Sequence, residues 1–258
     1  MNRLAWRLTA TVALPALLVL LWWWASARST NFYLPPLHRI IAAFPEVWTG
    51  ERITTDVLTS IARLGVGYLL AAVLGIGAGV VIGQYRLVRG IAEPALEFFR
   101  AIPPPVLVPV LMLFFGIGDQ MKVIVIAAGA VWPILLNTVE GVRAVDPVMV
   151  DTARSYHIGR WSRLRRLTLP AAGPQIFAGL RQAVSIAIIL MVISEMFAAT
   201  EGLGFAIIQF QRTFAIPEMW SGTILLGLLG FSLAMLFRLA EHRVLFWYHG
   251  MRAAARDQ

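Results

Sequence analysis

Long apolar runs, several of them long enough to cross a lipid bilayer, constrain the fold of this chain more than any other feature. A transmembrane helix needs roughly 20 apolar residues, and the runs are continuous rather than alternating, which disfavours transmembrane strands. Of the 258 residues, 59% are hydrophobic and only 14% are charged. The sequence predicts an all-α, polytopic membrane protein with six transmembrane helices, near residues 8–25, 53–83, 106–117, 121–140, 174–200 and 220–240.

The first apolar run has two interpretations. Arg3 and Arg7 precede it, and Ala25-Ser26-Ala27 follows it, which together resemble a secretory signal peptide with its cleavage site. We favour a retained helix, because about 17 apolar residues reach the spanning range. The tryptophans at 22–24 would then form an aromatic belt at the membrane surface.

We expect a single membrane domain over residues 1–258. Residues 1–52 comprise the first helix and an outer interfacial segment, in which 37–48 has apolar residues at helical spacing. Residues 53–245 form the core. Its first helix carries glycines four residues apart, a spacing that lets helices pack closely in lipid: Gly75, Gly79 and Gly83.

The connecting segments are expected to be irregular. Residues 84–102 are predicted to be a connector, and the prolines at 103–105 and 109 kink or delay the span that follows. The chain turns back near 116–119, where two glycines precede an aspartate. Residues 200–219 are predicted to be an outer loop.

A polar stretch at residues 146–170 interrupts the apolar pattern. Asp146 is predicted to cap a helix whose first residue is a proline, Gly159 marks a turn, and Pro170 is predicted to end a second short helix. Such a structured segment between two spans indicates a surface that contacts a partner in the cytoplasm.

The basic residues, 21 arginines and Lys122, divide unequally between the two sides of the predicted bundle. Fifteen fall in segments on one side and five on the other. By the positive-inside rule, both termini and residues 141–172 face the cytoplasm. The same rule explains the net charge of +8, so nucleic acid is not an expected partner.

The chain lacks the residues of several kinds of active site. It has no cysteine, which excludes disulfides and thiolate metal ligands, and its four histidines are scattered. It also lacks the Gly-x-x-x-x-Gly-Lys-Ser/Thr loop that holds ATP phosphates. We therefore expect no enzymatic activity, no metal and no cofactor, with energy supplied by another subunit.

Three ionisable residues fall in or near the spans: Arg63, Arg181 and Glu195. A charge within a membrane is costly and marks a candidate functional site. We expect Arg181 to reach the inner interface and Glu195 to lie at the outer one. Two alternatives stand for the arginines: pairing within the protein, or attraction of an anionic substrate along a translocation pathway.

The polar stretch resembles the cytoplasmic coupling loop, or EAA loop, of permease subunits of bacterial ABC importers. The matching residues are Asp151-Thr152-Ala153, where the family has Glu-Ala-Ala, followed by Gly159 and Leu169-Pro170. Further strings over about residues 35–245 resemble the nitrate/sulfonate/taurine branch of these permeases: Ser60-Ile61-Ala62-Arg63, Arg100-Ala101-Ile102-Pro103, Phe115-Gly116-Ile117-Gly118, Gly141-Val142-Arg143, Gly179-Leu180-Arg181 and Glu201-Gly202-Leu203-Gly204.

This resemblance implies a type I ABC importer permease fold, present as a homodimer in the lipid of the bacterial inner membrane. A cytoplasmic ATPase would bind the EAA-like loop. Arg165 and Arg166 would face its acidic groups or lipid phosphates, or would act only as topogenic charges. An extracytoplasmic substrate-binding protein would dock on residues 116–121 and 198–219.

The branch implies a small anionic substrate such as a sulfonate, taurine or nitrate. Thiamine precursors and riboflavin-like compounds are alternatives within the same branch. A secondary transporter would show inverted repeats, and a membrane enzyme would show clustered acid–base residues. The sequence contains no clear internal repeat, and its four histidines are scattered, so both of these classes rank last.

Overall fold

The computed structural model describes the backbone of residues 3–248 and 250, and the side chains of residues 13–197, 199–248 and 250. This part of the chain is helical and contains no β-strand, so the all-α prediction is confirmed. Its helices, numbered in chain order, are α1 (Arg3–Ser26), α2 (Leu37–Val47), α3 (Gly50–Gln84), α4 (Arg86–Ala101), α5 (Leu107–Phe115), α6 (Asp119–Arg143), α7 (Pro147–Ser155), α8 (Arg160–Phe197), α9 (Leu203–Arg212) and α10 (Ile216–Val244).

Four of the described helices are long and apolar enough to cross a membrane, namely α3, α6, α8 and α10. A fifth crossing would combine α4 with Pro104–Phe115, but the two parts are bent by 78°. The described apolar part of α1, Ala13–Ser26, is shorter than a full span. The six predicted spans therefore correspond to four continuous helices, one bent pair and α1, which runs over 24 residues from Arg3 to Ser26.

Helix α6 lies at the centre of the bundle, packed between α3 and α8. Glycines of α3 face α6 at a constant offset of 59 chain positions, so these two helices run in the same direction. The predicted close packing is confirmed for Gly75, Gly79 and Gly83, which lie against Ile134, Thr138 and Val142. Gly67 makes a fourth contact of the same kind, with Ile126.

Helix α8 runs antiparallel to α6. Near one end of α6, Gly141 lies against Ala172 of α8, and further along α6 the backbone at Ile134 lies against Gly179. We call the end of the bundle where α3 and α6 begin the outer end, and the opposite end the inner end, following the predicted orientation. Apolar side chains fill the space between the three helices, among them Ile126, Ile134, Leu190 and Met191.

Two short helices cover the outer end. The helix predicted at 37–48 is confirmed as α2, and the indole of Trp48 donates to Ser221 Oγ on α10 at 3.0 Å. The predicted outer loop 200–219 was wrong, because it contains α9. Sequence inspection missed α9 because its apolar positions repeat over only three turns, at Leu203, Ala206 and Phe210.

Three other boundaries differ from the prediction. Helix α3 begins at Gly50 rather than at residue 53, and the predicted connector 84–102 is the amphipathic helix α4. Pro170 does not end a helix, because α8 continues through it. The turn directly before Pro170, Leu164–Thr168, is π-helical, and this wide turn accommodates a ring that would crowd a regular one.

The glycine contact between α3 and α6 yields a stability prediction. A Cβ at Gly79 would lie 2.6 Å from Thr138 Cβ and 2.9 Å from the Leu135 carbonyl oxygen. Gly79→Ala should therefore lower the free energy of unfolding by about 1–3 kcal/mol through overpacking. Gly77→Ala is the matched control, since nothing lies within 4 Å of a Cβ there. Equal thermal melting of the two variants in detergent would contradict this packing.

Candidate functional site

The outer end contains an ionic cluster organised around Arg63 of α3, whose side chain is only 4% exposed. Its Nη1 donates to Glu195 Oε1 on α8 at 3.0 Å, and its Nε donates to Asp119 Oδ1 on α6 at 2.8 Å. Its Nη2 donates to Glu201 Oε1, in the segment between α8 and α9, at 3.1 Å. One guanidinium therefore connects three other parts of the chain.

Glu195 lies at the outer end, and its side chain is fully buried between the helices rather than exposed at a surface. Besides its ion pair with Arg63, its carboxylate accepts a hydrogen bond from Ser60 Oγ at 2.8 Å and one from the Gly204 backbone N–H at 3.0 Å. A buried carboxylate is tolerated only when it is paired and hydrogen-bonded in this way. The sequence had shown its position near the helix end but not the helices that cover it.

The segment after α8 is shaped to reach this carboxylate. Gly202 has φ +116°, a conformation that other residues rarely adopt, and a Cβ there would lie 2.5 Å from Glu195 Cδ. Its backbone N–H donates to Asp56 Oδ1 at 2.9 Å, and the next N–H, at Leu203, donates to Ser60 Oγ at 2.8 Å. Three segments that are far apart in sequence, residues 60–63, 116–119 and 201–204, therefore form one cluster.

The charges within the cluster are nearly balanced. Lys122 lies 3.6 Å from Asp119 Oδ1 and donates to the Ile117 carbonyl at 3.2 Å. Together, Arg63 and Lys122 face the carboxylates of Asp119, Glu195 and Glu201. Every guanidinium nitrogen of Arg63 already donates to the protein, which favours pairing within the fold over capture of a substrate.

Arg181 belongs to a different contact. Its Nη2 lies 2.6 Å from Glu241 Oε1, so it links α8 to the inner part of α10. The Arg181 side chain is 55% exposed, whereas that of Glu241 is 11% exposed. The structure thus brings Arg63 and Glu195 together and places Arg181 elsewhere.

At the inner end, α7 and the first turn of α8 present the polar stretch. The Asp146 carboxylate accepts from the Val148 N–H at 2.8 Å and Pro147 is the first helical residue, which confirms the predicted cap. Beyond it, large apolar side chains are exposed: Val148 is 70%, Tyr156 78% and Trp161 72% exposed. Val148 and Tyr156, together with Met149, border an open hollow of about 550 Å³.

The residues that match the EAA pattern are distributed around this hollow. Thr152, Ala153 and Gly159 line it, and the Thr152 hydroxyl donates to the Val148 carbonyl at 2.7 Å. Asp151 points elsewhere and pairs with Arg154 at 3.0 Å, with both side chains more than half exposed. Leu169 and Pro170 lie further along, within the continuous helix α8.

Gly159 is not the residue that makes the turn. That position belongs to His157, which has φ +54°, whereas Gly159 has φ −56° and nothing within 4 Å of a Cβ placed on it. Neither its backbone conformation nor its neighbours within the chain require a glycine. A glycine with free space around it, beside exposed apolar side chains, leaves room for another molecule.

Comparison with known proteins identifies the family. The model of the family described as binding-protein-dependent transport system inner membrane component matches residues 71–246. The chain belongs to this family. It is a multi-pass inner-membrane permease component of an ABC transporter, and the ATPase is a separate subunit.

Individual relatives agree with the predicted branch. The taurine transport system permease protein of Escherichia coli is 27% identical over 260 residues, covering 96% of this chain and 94% of that protein. The bicarbonate transport system permease protein of Synechococcus elongatus is 31% identical over 177 residues, covering 68% of this chain and 64% of that protein. An inward-facing structure of the MetNI methionine ABC transporter has a TM-score of 0.59 at 22% identity, covering 78% of this chain and 96% of that chain. The expected permease fold is confirmed.

The ionic cluster yields a second prediction. Arg63→Met should lower the free energy of unfolding by about 3–5 kcal/mol, because it leaves the carboxylate of Glu195 buried without its cation. Adding Glu195→Gln should restore part of this loss, since the neutral amide keeps an acceptor for Gly204. Arg100→Met, which removes one partner of the exposed pair with Glu97, should cost less than about 1 kcal/mol.

Thermal unfolding of the purified variants measures these differences, with uptake assayed separately. If Arg63→Met melted like the unchanged protein and only uptake failed, Arg63 would act in the pathway rather than in the fold.

Proposed function

We propose that this chain forms the membrane part of an importer for a small anion, such as a sulfonate, taurine or nitrate, delivered by an extracytoplasmic binding protein. The names of the taurine and bicarbonate relatives support a small oxyanion as the substrate. Thiamine precursors or riboflavin-like compounds are the alternative cargo on the same architecture. A secondary transporter is disfavoured by the family to which the chain belongs.

The exposed apolar side chains at the inner end carry the proposal for energy coupling. Val148, Tyr156 and Trp161 lie on a polar segment outside the spans, where lipid tails would not cover them. We assign this surface, with Thr152, Ala153 and Gly159, to the contact with a cytoplasmic ATPase. A packed interface of this kind transmits rigid-body rotations between subunits.

Leu169 and Pro170 acquire a different role in this proposal from the one expected. They do not end a coupling helix but join it to the span, because α8 is continuous from Arg160 to Phe197. A displacement at the coupling surface would therefore be carried along one helix to Glu195 at the outer end. Asp151, which pairs with Arg154 at the edge of the coupling surface, would contribute to contact with the ATPase when that pair opens.

The proposed orientation places both termini in the cytoplasm, following the distribution of arginines. Arg252 and Arg256, two of the fifteen arginines that support it, lie outside the described residues. In this orientation the coupling surface faces the cytoplasm, where the ATPase would bind.

A homodimer is proposed because one copy leaves a spanning helix uncovered. Of the most apolar 18 residues of α10, none is buried within the described chain, whereas 56% of the corresponding stretch of α6 is buried. A second copy would cover part of this surface and complete a pathway, with lipid covering the rest. At the outer end, residues 116–121 and 198–219 are the proposed docking surface for the binding protein, where Ile117 and Phe214 are exposed.

For Arg63 and Glu195 we propose a structural role, as the lock that holds α3, α6 and α8 together at the outer end. The Arg181 side chain is half exposed even though it pairs with Glu241, so it is accessible to a passing anion. A contribution of Arg181 to anion passage is thus the alternative retained from the sequence analysis.

Gly159 provides the test of coupling. Gly159→Trp should leave thermal melting of the chain unchanged, because the position has free space, yet obstruct the contact with the ATPase. ATP-driven uptake should fall by about tenfold or more, which corresponds to about 1.4 kcal/mol of lost interaction. Gly77→Trp, at an equally open position within the span of α3, is the control. Normal uptake and ATP hydrolysis in Gly159→Trp would exclude a coupling role for this surface.

A further inference from the structure

A second cavity at the inner end, of about 720 Å³, lies on the other side of α7 from the apolar hollow, and Arg163 borders both. It is lined by the junction of α3 and α4, the end of α6, one side of α7 and the start of α8. Six arginines from these separate segments line it, namely Arg86, Arg89, Arg143, Arg154, Arg160 and Arg163.

The positive charge of this cavity is not neutralised by the chain. Its lining contains one carboxylate, that of Asp151, which pairs with Arg154, and Arg143 pairs with Glu140 at 2.9 Å. Among the described residues, no carboxylate lies within ion-pair distance of the other four arginines. Two of these, Arg89 and Arg163, are half-buried, where water screens their mutual repulsion less well.

The surroundings place the cavity at the depth of lipid headgroups. Helix α4 carries Arg86 and Arg89 on one face, and its apolar side chains Leu87, Ile91 and Phe98 are 78%, 73% and 66% exposed. An amphipathic helix of this kind lies along the membrane surface with its apolar side chains in lipid. The guanidinium groups of α4 therefore lie at the boundary between membrane and cytoplasm.

We propose that this cavity binds a phosphate group, from the headgroup of an anionic phospholipid or from a free phosphate compound. Guanidinium groups bind phosphate oxygens through paired, charge-assisted hydrogen bonds, and four unpaired arginines converge here. Arginines that serve only membrane orientation need not line one concavity, because the positive-inside effect depends on the side and not on a shared site.

A bound phosphate would also contact the coupling element. The lining includes Pro147, Val150 and Arg154, which form one side of α7, whereas Val148, Met149 and Thr152 on the other side border the proposed ATPase surface. An anion in the cavity would hold α7 against the bundle. The binding site stands independently of the proposed transport function; only its assignment to the cytoplasmic side rests on that function.

The test uses the full chain in nanodiscs and measures binding rather than uptake, so its outcome is separate from that of the coupling test. In phosphatidylcholine nanodiscs, inorganic pyrophosphate is titrated and binding followed by thermophoresis. In nanodiscs that also contain phosphatidylglycerol, native mass spectrometry counts retained anionic lipid.

Arg89→Gln/Arg163→Gln should weaken binding by about tenfold or more, through the loss of charge-assisted hydrogen bonds. Arg86→Gln/Arg160→Gln, at two exposed positions, provides a second variant should the first fail to fold. Arg238→Gln/Arg243→Gln is the matched control, because it removes the same charge from exposed positions near the inner end of α10.

Pyrophosphate binding in phosphatidylcholine that the cavity variants lose would identify a free anion as the ligand. Retention of phosphatidylglycerol alone, again lost in the cavity variants, would identify a lipid headgroup. The proposal fails if neither probe binds the unchanged protein, or if the control pair weakens binding as much as the cavity pairs.

Discussion

The buried ion pair between Arg63 and Glu195 is the contact on which the outer end of the bundle depends. Removing two charges from water costs several kcal/mol per ion, and this cost is offset only when each charge has close partners. The surrounding chain meets that requirement with Ser60, Asp119 and the Gly204 N–H. Because these partners come from different helices, satisfying the pair fixes α3, α6, α8 and the segment leading to α9 relative to one another.

The inner end is built in the opposite way. Its apolar side chains on α7 are exposed, and four of the six arginines behind them have no carboxylate partner among the described residues. A surface of this composition is incomplete in one chain, since exposed apolar patches mark sites of interaction. The chain therefore combines an outer end closed by its own ion pairs with an inner end prepared for other molecules. This asymmetry suits a permease component whose ATPase is a separate subunit.

Much of this fold could be predicted from local patterns. The apolar runs located α3, α6, α8 and α10, and the Asp146-Pro147 pair located the start of α7, because spans and caps depend on neighbouring residues. What failed depended on distant residues or on short periods. Glu195 lies near a helix end in sequence yet is buried by α3 and α9. Pro170 predicts the end of a helix, but a π-helical turn lets α8 continue through it. Helix α4 was missed because its apolar face lies along the membrane surface instead of forming a continuous apolar run.

We propose that this chain provides a path across the membrane while a separate ATPase, bound at α7, provides the energy. The decisive measurement is uptake into proteoliposomes that contain the chain together with its ATPase and its binding protein. We expect accumulation of a small oxyanion only when ATP, the ATPase and the binding protein are all present. Accumulation by the chain alone, driven by an ion gradient, would contradict the account and identify a secondary transporter.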